Sequence, residues 1–381
     1  MTNRARVPMA NSEQPSPAIH RQRGAMLITM AIFFVFIIGL VAVAVDVGHL
    51  VIVRNELRNA ADAAAVAGAN CLNRVSNASG DGCTAIVAST LNWTAAAARA
   101  ASVAAMNGTD GKAIAAVTVA TGYRNLSGNP AGLQPVTLSP IGANDLPAVQ
   151  VTVRRAQGLN GGPVQTLVTS MFGGTAQALS ATAVAVISAP GTVVAGTLIP
   201  QVINQCLYNL YWNATTNSPA LATSKTLNGV PQVIGQPWEI RIGSSAKYPS
   251  CGSGQWTSFE RNVSDTGSVQ TLIRNGNPTS LSVGDSIWIE PGAKTTLYGD
   301  LSTKYPTPPG ADVVMPVVDL PNGLGTTAST PIVGFAGFHI DDIQGDSGKY
   351  IQGHFITTTA VKGASGKGSF YGAWAPSRIT Q

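Results

Sequence analysis

A charge-free apolar stretch near the N-terminus most limits what this chain can fold into. Residues 25–45 read AMLITMAIFFVFIIGLVAVAV and contain no Asp, Glu, Lys or Arg. As a helix this stretch is about 31 Å long, which matches the hydrocarbon core of a bilayer. A cleaved signal peptide is the alternative, but its apolar region typically covers only about 7–15 residues. The stretch therefore predicts a transmembrane helix that is retained.

The charges around this stretch predict its orientation. Arg21 and Arg23 lie directly before it, and no Lys or Arg follows until Arg54. The positive-inside rule then places residues 1–24 in the cytoplasm as a basic tail and the long C-terminal part on the outer side. Only 11% of the residues are charged and the net charge is +5, with four of the arginines in this tail. No nucleic-acid partner is expected from such a pattern.

The helix is expected to continue beyond the membrane to about residue 69. Small and apolar residues recur at spacings of three and four, which is typical of one buried helix face: Leu50, Val53, Leu57, Ala60, Ala64 and Ala67. Small side chains allow close approach of helices. The outer half should therefore pack an alanine-rich face on its own globular part or on a neighbouring helix. An ordinary membrane helix followed by a linker helix is the alternative.

Residues 21–69 resemble the N-terminal region of the TadE/TadG-like proteins of the Flp (Tad, tight adherence) pilus assembly system. The similarity lies in short motifs in a fixed order: Arg23-Gly24-Ala25 before the span, Asp46-Val47-Gly48 at its outer end, Arg54 through Leu57, and Asn59-Ala60-Ala61-Asp62-Ala63-Ala64-Ala65. A weaker similarity continues from VQVTVRR to ATAVAVIS, and it is faint beyond residue 195.

The resemblance implies a non-catalytic, single-pass protein of the bacterial inner membrane, with its C-terminal domain periplasmic or extracellular. Its expected partners are the cytoplasmic membrane and pilus subunits or other Tad machinery proteins. Arg23, Gly24 and Asp46 would mark the membrane boundaries. The contact segment would comprise Arg54, Leu57, Ala60, Asp62, Ala64 and Ala65.

The sequence differs from that of pilins at a position that matters for cleavage by prepilin peptidase. Pilins cut by prepilin peptidase usually carry Glu five residues after the cleavage-site Gly. Counted from Gly24, that position is Thr29 in this chain. We therefore expect no cleavage at Gly24 and a retained anchor.

The rest of the chain predicts an α+β fold in two modules. Residues 46–190 read as a pilin-like module with a long helix, a second helix over 84–106, a short helix over 163–173 and a small sheet. Residues 198–381 contain short alternating runs between Gly, Pro, Asn and Ser clusters, which predict a mainly β domain. Within it, DTGSVQTLIRNG predicts one helix, capped by Asp265 or Thr266 and ended by Gly276.

The four cysteines form two pairs that are close in sequence: Cys71 with Cys83, and Cys206 with Cys251. None has CxxC spacing, so zinc or thioredoxin-like chemistry is not indicated. In an exported chain, two disulfides are expected.

Few residues suggest chemistry, and no cofactor is predicted. The sequence lacks GxSxG, and neither DTGSV nor DSGKY fits the D-x-S-x-S metal motif of the von Willebrand A domains found in some TadG-like proteins. A hairpin turning at residues 346–347 would place His339 opposite His354, with Asp341 on the same face. These three residues could bind zinc, whereas a one-residue change of register would separate them and leave packing residues.

The sequence is also compatible with two other functions. The β domain could make the chain a surface adhesion or binding protein. His339 and His354 could instead belong to a metal-dependent hydrolase of the envelope. The Tad-like resemblance favours a structural component of the pilus system over both.

Overall fold

The computed structural model describes most of the chain after residue 22, with short gaps. The described residues are 23–72, 83, 91–142, 144–166, 168, 173, 176–243, 248, 251, 254–263, 265–290, 295–320, 328–346, 348–357, 361–366 and 369–380. The chain divides into two units. One comprises Met1–Val53 and Val164–Gln177, and the other comprises Arg54–Pro163 and Ala178–Gln381.

The described residues form five helices and many mostly short strands. The helices are α1 (Arg23–Asn70), α2 (Trp93–Ala105), α3 (Gln205–Leu210), α4 (Thr266–Asn275) and α5 (Thr295–Lys304). The strands are β1 (Gly108–Thr109), β2 (Lys112–Ala113), β3 (Val117–Asn125), β4 (Leu133–Gln134), β5 (Asp145–Arg155), β6 (Leu179–Val186), β7 (Pro190–Val193), β8 (Gln201–Asn204), β9 (Trp212–Asn213), β10 (Ser218–Pro219), β11 (Thr226–Leu227), β12 (Val230–Pro231), β13 (Ile240–Ile242), β14 (Gln255–Phe259), β15 (Leu281–Ser282), β16 (Ser286–Glu290), β17 (Ala311–Val318), β18 (Ala328–Gln344), β19 (Tyr350–Phe355), β20 (Gly363–Ser365) and β21 (Arg378–Thr380). Together they give the α+β fold expected from the sequence.

Helix α1 is uninterrupted over 48 residues, as the sequence predicts. Its C-terminal half presents a fully buried face made mainly of alanine: Val53, Leu57, Ala60, Ala61, Ala64, Ala65 and Ala69. The face contacts α2 and β5 around Gly68, where a Cβ atom would lie 2.8 Å from the Ala96 carbonyl oxygen and 3.1 Å from Val149 Cγ1. Close approach of the helices therefore depends on the absence of a side chain at this position.

Two predicted helices differ from the structure. Helix α2 begins at Trp93, because the Asn92 side chain accepts a hydrogen bond from Ala95 N and caps the helix there; residues 84–90 lie outside the described residues. The predicted helix over 163–173 was wrong for the described part of that segment. Val164 instead forms a β-bridge with Gln177, and the segment's Pro and Gly punctuation does not require a helix.

The first sheet has five strands in the order β21-β6-β5-β3-β4, all antiparallel. Its outermost strand, β21, comes from the very end of the described chain and pairs with β6. Ser377, directly before β21, donates hydrogen bonds to Asn70 Oδ1 and to the Val66 carbonyl oxygen of α1. The C-terminal residues therefore complete the sheet that follows the long helix. The module boundaries proposed from the sequence remain a proposal.

The second sheet has seven strands in the order β13-β19-β18-β16-β14-β8-β17, and an additional pairing joins β17 to β18. This pairing closes a ring of strands and hides edges that would otherwise be exposed. Large buried side chains pack in two clusters, one containing Trp256, Tyr298 and Phe338 and the other containing Phe335. The C-terminal region is therefore mainly β, as predicted.

Helix α4 begins and ends where the sequence predicts. The Asp265 side chain accepts from Ser268 N, and Gly276 ends the helix with a φ of 78°. Helices α3 and α5 were not predicted. Both predicted disulfides are present, Cys71 with Cys83 and Cys206 with Cys251.

Gly68 offers a direct test of the packing of α1. Within a helix, replacing Gly by Ala normally stabilises a protein by roughly 0.5–1 kcal/mol. At Gly68 the new methyl group would instead overlap Ala96 and Ala100, and we expect Gly68→Ala to lower the free energy of unfolding by about 1–3 kcal/mol. Urea unfolding of the detergent-solubilised chain measures this change.

Gly299→Ala is the matched control for this test. Gly299 lies inside α5, and a Cβ atom there would meet nothing within 4 Å. We expect this variant to be as stable as the wild type or slightly more so. A Gly68→Ala protein that matched Gly299→Ala in stability would show that α1 does not pack closely at this point.

Candidate functional site

The inner part of α1 is the first candidate site, and its apolar side chains are exposed. Every large apolar side chain from Met26 to Phe36 is at least 62% exposed, and exposure continues to Ile52. The helix is long and apolar enough to cross a membrane. An exposed apolar surface of this size is expected to be covered, and a bilayer fits its length and composition.

Asp46 is buried rather than exposed at the end of this apolar part. Its side chain is 3% exposed, and both carboxylate oxygens accept from Val168 N at 3.2 Å. The carboxylate therefore ties the backbone of Val168 to the helix within the same unit. Its assignment as the outer membrane boundary, like those of Arg23 and Gly24, remains a proposal.

This contact predicts a local effect of removing the carboxylate. Hydrogen bonds to charged groups contribute about 1.5–3 kcal/mol, so we expect Asp46→Ala to speed hydrogen exchange of the Val168 amide by roughly tenfold to a hundredfold. Asp46→Asn keeps one acceptor oxygen, so its exchange rate at Val168 should lie between those of the wild type and Asp46→Ala. Hydrogen exchange read out by mass spectrometry on the solubilised chain measures this, and unchanged exchange in Asp46→Ala would contradict it.

The predicted contact segment divides into two faces in the structure. Leu57, Ala60, Ala64 and Ala65 are fully buried within the chain's own fold. Arg54 is exposed and Asp62 is half-buried, and the Asp62 carboxylate lies 3.9 Å from Arg58 Nε. The alanine face therefore serves the chain's own packing, and within this segment only the exposed side chains such as Arg54 are open to a partner.

The second candidate site is a row of titratable side chains across the second sheet. In the strand register, Asp312 of β17 faces His339 of β18, and His339 faces His354 of β19. His339 Nδ1 lies 2.6 Å from Asp312 Oδ1, and the two imidazole rings are 5.2 Å apart. Glu239, directly before β13, completes the row with Oε1 at 3.2 Å from His354 Nδ1.

Asp341 joins this row through a β-bulge. The ladder between β18 and β19 shifts by one residue between Ile340 and Asp342, and the Asp341 carboxylate lies 2.8 Å from His354 Nδ1 and 3.7 Å from His339 Nε2. The predicted pairing of the two histidines is therefore present. The predicted turn at residues 346–347 was wrong, because the ladder stops at Gln344 and Tyr350 and the bulge restores the register.

The carboxylates control the charge of His354. Burial alone would lower the pKa of His354, because it disfavours the charged ring. The carboxylates of Asp341 and Glu239 outweigh burial and raise this pKa to about 9. At Asp341, burial would raise the pKa, but hydrogen bonding and charge attraction from His354 lower it. In the protein alone, His354 is thus a cation between two carboxylates at neutral pH.

The sequence pattern indicates only part of this cluster. It predicts His339, Asp341 and His354 on one hairpin but gives no signal for Glu239 and Asp312. Glu239 and Asp312 come from other strands, and their place depends on pairings between segments that are far apart in sequence. A local signal that could have found them does not exist in the sequence.

Comparisons with known families cover the N-terminal part of the chain. Residues 24–70 match a family described as putative Flp pilus-assembly TadE/G-like, and residues 67–185 match one described as putative Tad-like Flp pilus-assembly. A search of curated proteins and a search of solved structures found no match.

Among the described residues, one helix is long and apolar enough to cross a membrane, and the other elements form an α+β fold with two disulfides. Over residues 24–185 the two family matches support a Tad-like Flp pilus-assembly protein, as the sequence resemblance indicated. Residues 186–381, which include the histidine–carboxylate row, lie outside both matches.

Proposed function

We propose that this chain is a membrane-anchored structural component of Flp pilus assembly that acts through contacts, without catalysis. The observation that carries this proposal is the continuity of α1. One helix has exposed apolar side chains in its first half and a buried alanine face in its second half. Such a helix joins an apolar, membrane-compatible half covalently to the half that packs in the folded part.

The proposed location is the bacterial inner membrane, with the N-terminus in the cytoplasm and the C-terminal part periplasmic or extracellular. The arginines before the apolar stretch support this orientation. The disulfides support it as well, since they form and persist in oxidising compartments.

The proposed contacts with pilus subunits or other Tad machinery lie on the open face of α1. Val51 and Ile52 are 52% and 59% exposed, and Arg54 is exposed next to them. This surface combines apolar side chains with a positive charge, as partner-binding helices do. All three side chains are exposed, so a partner can contact them without disturbing the chain's own core.

Counting surface pili in cells that lack the chain tests this proposal. We expect few or no Flp pili without it and normal numbers when the wild-type chain is restored. Restoring the Arg54→Glu variant should give fewer pili, while Lys225→Glu, a charge reversal on a distant exposed residue, should act like the wild type.

Two outcomes would contradict the proposal. Normal piliation without the chain would exclude a role in assembly. Normal piliation with lost attachment to surfaces would favour the adhesion alternative, in which the β domain is the working part.

A further inference from the structure

We propose that the row formed by Glu239, Asp341, His354 and His339 is a binding site for a single Zn²⁺ ion. In this site Asp312 orients the ring of His339. The strand register collects two imidazoles and three carboxylates from four neighbouring strands on one sheet face. Mixed imidazole and carboxylate donors suit zinc, whereas Mg²⁺ and Ca²⁺ prefer sites made of oxygen alone.

Two of the distances between donor atoms are close to those that a tetrahedral ion requires. Ligands at about 2.0–2.1 Å from zinc lie roughly 3.3 Å from one another in a tetrahedron. His354 Nδ1 is 3.2 Å from Glu239 Oε1 and 2.8 Å from Asp341 Oδ2, and donor atoms of these three residues all lie within 4.8 Å of one another. Small side-chain shifts would then bring the donors of these three residues around one ion.

His339 can supply the fourth ligand, because Asp312 holds its other nitrogen. Metal-binding histidines almost always donate the second ring N–H to a carboxylate or carbonyl, which fixes the tautomer. Asp312 Oδ1 lies 2.6 Å from His339 Nδ1, so the proton sits on Nδ1 and the lone pair on Nε2. This Nε2 faces Asp341 at 3.7 Å.

Two features of the cluster call for a cation. Glu239 Oε2 is a buried oxygen without a hydrogen-bond partner among the described residues, and such a group is costly unless something binds it. The three carboxylates exceed the charge that the two histidines can supply, and none of them forms an ion pair with Lys or Arg in the described part of the chain. A bound Zn²⁺ would replace the proton held at His354 Nδ1.

The site is also accessible to ions. The side chains of Glu239, Asp341, His339 and His354 are between 22% and 32% exposed. Zinc bound there would tie β13, β19 and β18 together, and Asp312 would link β17 through His339. The ion would thus stabilise the second sheet near the pairing of β17 with β18.

Metal binding by the full-length chain tests the proposal. The chain is purified in detergent without a histidine tag, stripped with a chelator, and dialysed against Zn²⁺ with the bound metal quantified. We expect one Zn²⁺ per chain, and X-ray absorption of the wild-type complex should show nitrogen and oxygen ligands that include two imidazoles. Excess Mg²⁺ or Ca²⁺ should not displace the ion.

Variants separate this site from adventitious binding. We expect His354→Gln and Asp341→Asn each to weaken Zn²⁺ binding at least about tenfold, and Asp312→Asn to weaken it about 10–100-fold through the orientation of His339. Asp342→Asn is the matched control: Asp342 follows Asp341 on the same strand, its carboxylate accepts from Gln344 Nε2, and it lies outside the cluster. It should bind zinc like the wild type.

The proposal is overturned if the wild-type chain takes up no stoichiometric Zn²⁺, since the cluster then holds only a proton. Equal binding by Asp341→Asn and the wild type would also overturn it. Should His354→Gln fail to fold, the wild-type stoichiometry and its X-ray absorption spectrum still decide, because fewer than two imidazole ligands would exclude this site. Piliation is a separate readout, so failure here leaves the proposed pilus role untouched.

Discussion

Two aspartates placed in the middle of the apolar helix, as Phe34→Asp with Ile38→Asp, are expected to remove the protein from the membrane fraction. Both side chains are exposed in the structure, at 66% and 54%, so the change breaks no internal packing. Each charge at the centre of a membrane helix costs about 2.5–3.5 kcal/mol on insertion scales. Together they shift the insertion equilibrium by more than about a thousandfold.

Alkaline extraction of membranes measures this effect. The wild-type chain should stay in the pellet, and the double variant should be found in the soluble fraction or be degraded. Val233→Asp with Ile234→Asp is the matched control, because these residues are also apolar and exposed, at 68% and 58%, but lie outside α1. Full membrane retention of the Phe34→Asp/Ile38→Asp protein would show that residues 25–45 do not span the bilayer.

The second large effect is expected from the disulfide between Cys206 and Cys251. This bond closes a loop with a sequence separation of 45, against 12 for Cys71 and Cys83. It joins α3 to a residue of the main core. Removing a native disulfide typically costs about 2–5 kcal/mol, and the chain-entropy model makes the longer loop worth roughly 1 kcal/mol more than the shorter one.

Thermal unfolding of two double variants tests this order. Cys206→Ala with Cys251→Ala should lower the free energy of unfolding more than Cys71→Ala with Cys83→Ala does. The same protein measured with and without a reducing agent gives the combined effect of both bonds. An equal or larger loss in the Cys71 and Cys83 variant would contradict the expectation, and it would mean that native packing around that bond outweighs loop length.

Features that rest on local signals could be predicted from the sequence. The uninterrupted helix α1 follows from a long apolar stretch and an alanine stripe without Pro. Helix α4 follows from an Asp cap and a closing Gly, and both signals lie within one turn of its ends. The two disulfides could also be predicted, since the cysteines of each pair are neighbours in the order of cysteines along the chain.

Features that rest on distant pairings could not be predicted. The strand β21 joins a sheet about two hundred residues earlier in the chain, and the pairing of β17 with β18 closes a ring. Periodicity tells which face of a strand is buried but does not tell which strand it pairs with. For this reason Glu239 and Asp312 were missed, whereas His339 and His354, on one hairpin, were found.

The segment 163–173 shows how a local signal can fail. Its Pro and Gly have the spacing of a short helix, but the described residues at its ends form a bridge and turns. Val168 donates its backbone N–H to the Asp46 carboxylate. A short segment has little helical preference of its own, so these tertiary contacts decide the conformation of its described residues.

The intact mass of the chain recovered from the membranes of piliated cells tests the central claim most directly. A retained anchor predicts a single species that still contains residues 25–45, joined without a cut to the alanine-rich half of the helix. A polypeptide that begins after Asp46 would contradict the account, because nothing would then hold the folded part at the bilayer.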